Sequence, residues 1–130
     1  MFGTVFALLY IGHHIADYLI QTDRQATTKS SKTAKGYLAN IIHATSHALT
    51  ESALLVIGSS LLGLSFTLPA GAAAVAWIGV THGFIDRRWP VTRWMRNTGS
   101  TDYIEMGGAE RVDQAMHIAC LGVAAGILAA

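Results

Sequence analysis

Two imidazoles stand four residues apart in the run Ile41-Ile42-His43-Ala44-Thr45-Ser46-His47-Ala48-Leu49-Thr50-Glu51. The run is otherwise mostly small or apolar and helix-like, and on a helix positions i and i+4 stack on one face about 6 Å apart. His43 and His47 therefore point at one spot. The same spacing recurs in His13 with Asp17, His82 with Asp86, and Asp113 with His117. Together these pairs supply the nitrogen and oxygen ligand set of Zn²⁺, with Mn²⁺ and Fe²⁺ as alternatives. Eight ligands exceed one tetrahedral shell. They suit one ion with a generous outer layer, or two ions about 3.5–4 Å apart bridged by a carboxylate. Two ions can generate hydroxide near neutral pH and clamp a phosphoryl group, which makes hydrolysis of a phosphate ester the natural reaction class. The mixture differs from the carboxylate-rich set of ferritin-like di-iron helical proteins, so oxygen chemistry ranks lower.

Glu51 continues the His43 and His47 face by one turn and is the catalytic candidate. Its possible roles are ligand, general base, proton carrier, or the acceptor that orients an imidazole, the last being preferred. His14 sits about 100° around the helix from His13, lacks a partner at i+4, and reads as a flanking polar residue. Gln21 and Gln114 adjoin the pairs and can hydrogen-bond to ligands. Asp23, Arg24, Lys29 and Lys32 lie in a polar stretch where a solvated loop is the default and anion capture the sharper idea. The single Cys120 excludes an internal disulfide. It reads as a core thiol, with a lesser role as an extra soft ligand.

The elements that must position these side chains read as membrane helices. About half of the 130 residues are hydrophobic and 13% are charged, and the distribution says more than the total. All nine Lys and Arg fall within Arg24–Lys35 and Arg87–Arg111, while residues 1–12, 52–81 and 118–130 carry no charge. A water-soluble helical protein scatters charge along every helix to keep one face wet. The expected fold is a single all-α domain over 1–130, an integral membrane four-helix bundle with spans at about 1–20, 37–62, 70–86 and 111–130. The first span lacks the basic start of a signal peptide and is interrupted by His13, His14 and Asp17. Between spans three and four, Arg87-Arg88-Trp89-Pro90-Val91-Thr92-Arg93-Trp94-Met95-Arg96 reads as a short interfacial segment, with Trp and Arg at headgroup level. Residues 21–35 and 97–108 read as polar loops, and 63–69 as an uncharged turn. Small residues at Ala72, Ala76, Gly79 and Gly83, and again at Gly122 and Gly126, form stripes that let helices approach closely, within the chain or between copies of it.

The basic loops after spans one and three must share a side. The positive-inside bias puts them in the cytoplasm and both termini outside. All four pairs then fall at one depth, just inside the cytoplasmic boundary. Interhelical hydrogen bonds that merely hold the helices together account for any one pair. Four pairs at one level favour a site, because Ser, Thr or Asn would serve simple bonding as well. A net charge of +1 with no dense basic patch argues against nucleic acid as a partner.

The string His13-His14-Ile15-Ala16-Asp17-Tyr18-Leu19-Ile20-Gln21-Thr22-Asp23, with Lys29 after it, resembles the opening motif of a bacterial family of small membrane proteins known as domain of unknown function 3307. His43-x-x-x-His47, His82-Gly83-Phe84-Ile85-Asp86 and Asp113-Gln114-Ala115-Met116-His117 are similar to its later motifs, in the same order. The resemblance covers nearly the whole chain and implies a bacterial cytoplasmic membrane protein. It departs after the third motif, where the family often has an aromatic residue and Lys and this chain has Arg87-Arg88-Trp89-Pro90. The family's name carries no activity. More loosely, the chain resembles membrane-embedded metal-dependent hydrolases.

The expected function is therefore a membrane-embedded metal-binding protein acting as a metal-dependent hydrolase on a phosphate-containing lipid or nucleotide at the cytoplasmic face. One alternative is an ion or proton relay using the same His and Asp residues. Another is an interaction protein, assembling with copies of itself, in which the metal is purely structural.

Overall fold

The computed structural model describes residues 1–130, and every regular element is a helix. The elements are α1 (Phe2–Ile15), which runs into a π-helical turn (Ala16–Ile20), α2 (Asp23–Thr28), α3 (Ala34–Leu62), α4 (Leu68–Ile85), α5 (Trp89–Asn97), α6 (Thr101–Glu105) and α7 (Ala109–Ala129). Local chemistry sets several boundaries. Thr22 and Gln25 form a reciprocal capping box that starts α2. Thr33 and Thr67 accept the Gly36 and Ala70 amides to start α3 and α4, and Pro69 sits in the first turn of α4, where no amide is needed. Gly63, with φ +64°, ends α3 in the left-handed conformation that glycine adopts without strain.

α1 and α4 each pack against both α3 and α7, so these four helices enclose a common interior. The interior is layered. At one end Val5, Leu9, Leu55, Ala74, Ile78, Leu121, Ala124, Ala125 and Leu128 form an apolar core. At the other end the buried side chains are His13, Asp17, Lys29, His43, His47, Glu51, His82, Asp86 and His117. Large apolar side chains meanwhile point outward, with Leu49 66%, Val80 72% and Leu61 77% exposed. Large exposed apolar patches mark surfaces that meet another protein or a membrane. Two helices, α4 and α7, are long and apolar enough to cross a membrane. α1 has only 14 residues before its π turn, and the inward face of α3 is polar, carrying Asn40, His43, His47 and Glu51.

The small-residue stripe of α4 is used within the chain. A Cβ on Gly83 would lie 3.4 Å from that of Ala44, and one on Gly79 would lie 3.8 Å from that of Ala48, so α3 and α4 approach closely there. Gly122 and Gly126 face open space. Ile85, Val91 and Met95 bury α5 against the end of α4, leaving Trp89 and Trp94 exposed, and Cys120 packs beside this cluster.

Two stretches differ from the loops expected of them. Residues 97–108 contain α6, too short to show periodicity in sequence. Residues 21–35 contain α2 and then carry Lys29 inward, where it is 8% exposed. The wet loop expected there is thus wet at Lys32 and Lys35 but not at Lys29.

Candidate metal centre

Each i, i+4 pair closes on itself as helix geometry requires. His13 Nε2 lies 3.2 Å from Asp17 Oδ2, His82 Nε2 3.1 Å from Asp86 Oδ2, and His117 Nε2 3.5 Å from Asp113 Oδ2. The His43 and His47 rings sit edge to face with centroids 4.7 Å apart. Asp17 owes its position to the π turn, in which the Gln21 amide reaches back to the Ala16 carbonyl at 3.0 Å. Such wide turns alter which side chains face inward and recur at functional sites. Gln21 secures the turn by donating from Nε2 to the Asp17 carbonyl at 3.1 Å.

Packing then brings the pairs together. Asp17 Oδ1 is 3.2 Å from Nε2 of both His43 and His47, while Asp86 Oδ2 is 3.3 Å from His43 Nε2. His43 and His82 meet nitrogen to nitrogen at 3.1 Å. Asp86 Oδ1 faces His117 Nε2 at 3.7 Å. The result is a set of overlapping groups whose ligand atoms lie within 4.8 Å of one another and can hold a metal ion: Asp17, His43, His47 and His82; His13, His82 and His117; His13, His47 and Glu51; and Asp86, Asp113 and His117. All eight residues singled out by spacing belong to at least one group.

The neighbours divide. Glu51 is fully buried behind His47, with Oε1 3.9 Å from Nδ1 and neither carboxyl oxygen hydrogen-bonded. It approaches the nitrogen of His47 opposite the one that faces Asp17. Gln114 bonds His13 Nε2 through Oε1 at 3.3 Å and approaches Asp17 Oδ2 through Nε2 at 3.5 Å. His14 turns away, bonding the Tyr10 carbonyl through Nδ1 at 3.0 Å. Cys120 belongs to none of the groups.

Lys29 was the residue that spacing undervalued. Its Nζ stands 2.9 Å from both Asp86 Oδ2 and His43 Nε2. Arg87 brings it there: its guanidinium donates to the carbonyls of Lys29 and Ser31 at 2.6 Å each and stacks over Tyr37 at 4.1 Å. Asn40 joins α3 to α4 by donating to the Gly83 carbonyl at 2.7 Å. None of these contacts has a periodic signature. The one sequence hint was the presence of Lys29 in the stretch that carries the family resemblance.

A cavity of about 630 Å³ opens on one side of the centre, lined by Asp17, Asp86, Asp113 and Lys29 with Gln21, Gln114, Tyr18, Ala26, Arg88, Val91, Thr92, Gly107, Ala109 and Glu110. Its size is within the range of small-molecule sites. Arg88, at its edge, takes a left-handed backbone with φ 62°, unusual for a side chain of its size, where the chain turns from α4 into α5. The carboxylates of three helices' ends thus face a space open to solvent, while His43, His47 and Glu51 lie behind them.

No curated protein and no solved structure matches this chain. A family model described as "Protein of unknown function (DUF3307)" matches residues 5–129, nearly the whole length, and the chain belongs to that family.

Proposed function

We propose that the protein is a membrane-embedded metalloenzyme that holds two divalent transition-metal ions, zinc first, and hydrolyses a phosphate ester at the cytoplasmic face of a four-helix membrane bundle. The observation that carries it is the spacing of the ligand atoms. Bonds of about 2.0–2.1 Å set the ligands of one ion about 2.9–3.4 Å apart. The contacts of Asp17 with His43 and His47, and of His82 with His43, are 3.1–3.2 Å. Charge supports the same reading. Asp17, Asp86 and Glu51 bury three carboxyls at the centre with Asp113 at its edge, and Lys29 is the one lysine or arginine paired with them. In a low-dielectric interior such an excess needs cations or protons.

The groups divide naturally between two ions. Asp17, His43, His47 and His82 would make a set of four, in which Asp17 also borders the cavity. Asp86, Asp113 and His117 would make a set of three, with Asp86 and Asp113 on the cavity wall, which would leave room for water and substrate as catalytic sites do. Asp86 would be placed to serve both ions, with Oδ2 toward His43 and His82 and Oδ1 toward His117. In the reaction, a water oxygen forms a new bond to phosphorus, the ester P–O bond breaks, and the proton of the water passes to the departing oxygen. The apolar core beyond Glu51 opposes a through path for ions, which favours a one-sided site over a transporter.

The deciding experiment is elemental analysis of detergent-purified protein beside a His43→Ala variant, followed by a screen of phospholipid and nucleotide phosphoesters with Zn²⁺, Mn²⁺ and Fe²⁺. Stoichiometric metal lost in the variant, with metal-dependent release of phosphate, is expected. Equal and trace metal in both samples overturns the metal centre. Bound metal with a silent screen overturns the hydrolase and leaves a structural metal.

A further inference from the structure

Lys29 occupies a place that a metal centre has no ordinary use for. Its ammonium nitrogen lies 2.9 Å from both Nε2 of His43 and Oδ2 of Asp86, and these are atoms that the proposed ions need. One imidazole nitrogen has one lone pair and cannot serve an ammonium and a metal together. His43, His82 and Asp86 also form a triangle with edges of 3.1, 3.1 and 3.3 Å, and the ammonium lies against one of its sides. A lysine there balances charge as a metal would.

Resting on the metal-centre reading above, we propose that Lys29 is a resident cation of the centre: the incoming ion displaces its ammonium into the adjoining cavity, where it becomes the contact for a phosphate-class anion. Two features make the movement local. Arg87 clamps the carbonyls of Lys29 and Ser31, so the backbone stays while the four-carbon stem rotates. The cavity is already bordered by Lys29, so the ammonium has a wet destination beside the carboxylates. Metal loading also reverses the sign of the local charge. An ammonium held by Asp86 and His43 is repelled once a divalent ion neutralises those groups, and the same ion makes the cavity attractive to an anion. Metal and anion sites are thereby filled in order.

Amine acylation read residue by residue by mass spectrometry tests this on the unmutated protein, with exposed Lys32 and Lys35 as internal references. In chelator-treated protein Lys29 is expected to label slowly. Zinc should raise its rate at least about tenfold, and inorganic phosphate should then protect it. A Lys29→Met variant, of similar length without the charge, should bind zinc about tenfold more tightly and phosphate about tenfold more weakly than the parent. If zinc binds stoichiometrically but Lys29 stays protected, or if phosphate gives no protection after zinc exposes it, the displacement proposal is overturned and the metal centre stands. Zinc binding to neither protein removes both.

Discussion

His43 and His82 face each other nitrogen to nitrogen, with Nε2 atoms 3.1 Å apart on two different helices. Two imidazoles at that distance accommodate a single proton between them or a shared cation, and two protons would clash. The contact therefore ties the protonation of the centre to whatever cation it holds, and it makes these two residues sensitive probes.

Removing one side of this contact should empty the set of four. His82→Ala and His43→Ala are each expected to lower zinc affinity by more than about 100-fold, since loss of supporting partners alone costs about 10–100-fold. Competition with a chromogenic chelator measures it. Affinity within threefold of the parent in both variants would show that neither nitrogen is a ligand.

Acid should release the metal. Every ligating imidazole must give up its proton to bind, so zinc competes with protons and affinity falls as pH falls, with more than one proton taken up per ion released. Metal content after dialysis across a pH series reads the direction, and titration of released protons reads the number. Flat metal retention from neutral to mildly acid pH would be incompatible with histidine ligation.

Glu51 lies behind His47, and Glu51→Gln separates its roles. If the carboxylate orients the imidazole through Nδ1, the amide substitution should weaken zinc binding about 10–100-fold. A general base would instead lose turnover with metal content unchanged. Parallel measurement of metal content and rate distinguishes the two.

Gly36 is the second backbone device behind Lys29. A Cβ there would overlap the carbonyls of Thr28 and Ser31, which belong to the loop that Arg87 holds. Gly36→Ala should destabilise the chain by about 1–3 kcal/mol, visible as earlier thermal unfolding in detergent. Lys29 should become more open to acylation in the same variant. Gly122→Ala, which meets open space in mid-helix, is the control and should leave Lys29 acylation unchanged and unfolding no earlier than in the parent.

Membrane placement has its own check. With the basic stretches Arg24–Lys35 and Arg87–Arg111 inside, a reporter fused after Ala130 and active only outside the cytoplasm should be on, and one inserted near Lys32 should be off. The opposite pattern would invert the proposed orientation.

Local geometry is legible in the order of residues alone. Helical spacing fixed that His13 meets Asp17, His82 meets Asp86 and Asp113 meets His117, because an i, i+4 relation depends only on the turn that contains it. The apolar stretches likewise marked helices, of which α4 and α7 are long and apolar enough to cross a membrane while α1 stops after 14 residues at its π turn. How the pairs combine rests on packing instead: Asp17 sits between His43 and His47, Asp86 reaches His43 and His117 beyond its own His82, and Lys29 enters the centre on an arm held by Arg87. Those contacts join residues 14 to 58 positions apart, from Lys29 with His43 to Lys29 with Arg87. At that range helical periodicity carries no information, and the packing of one helix on another sets the distance.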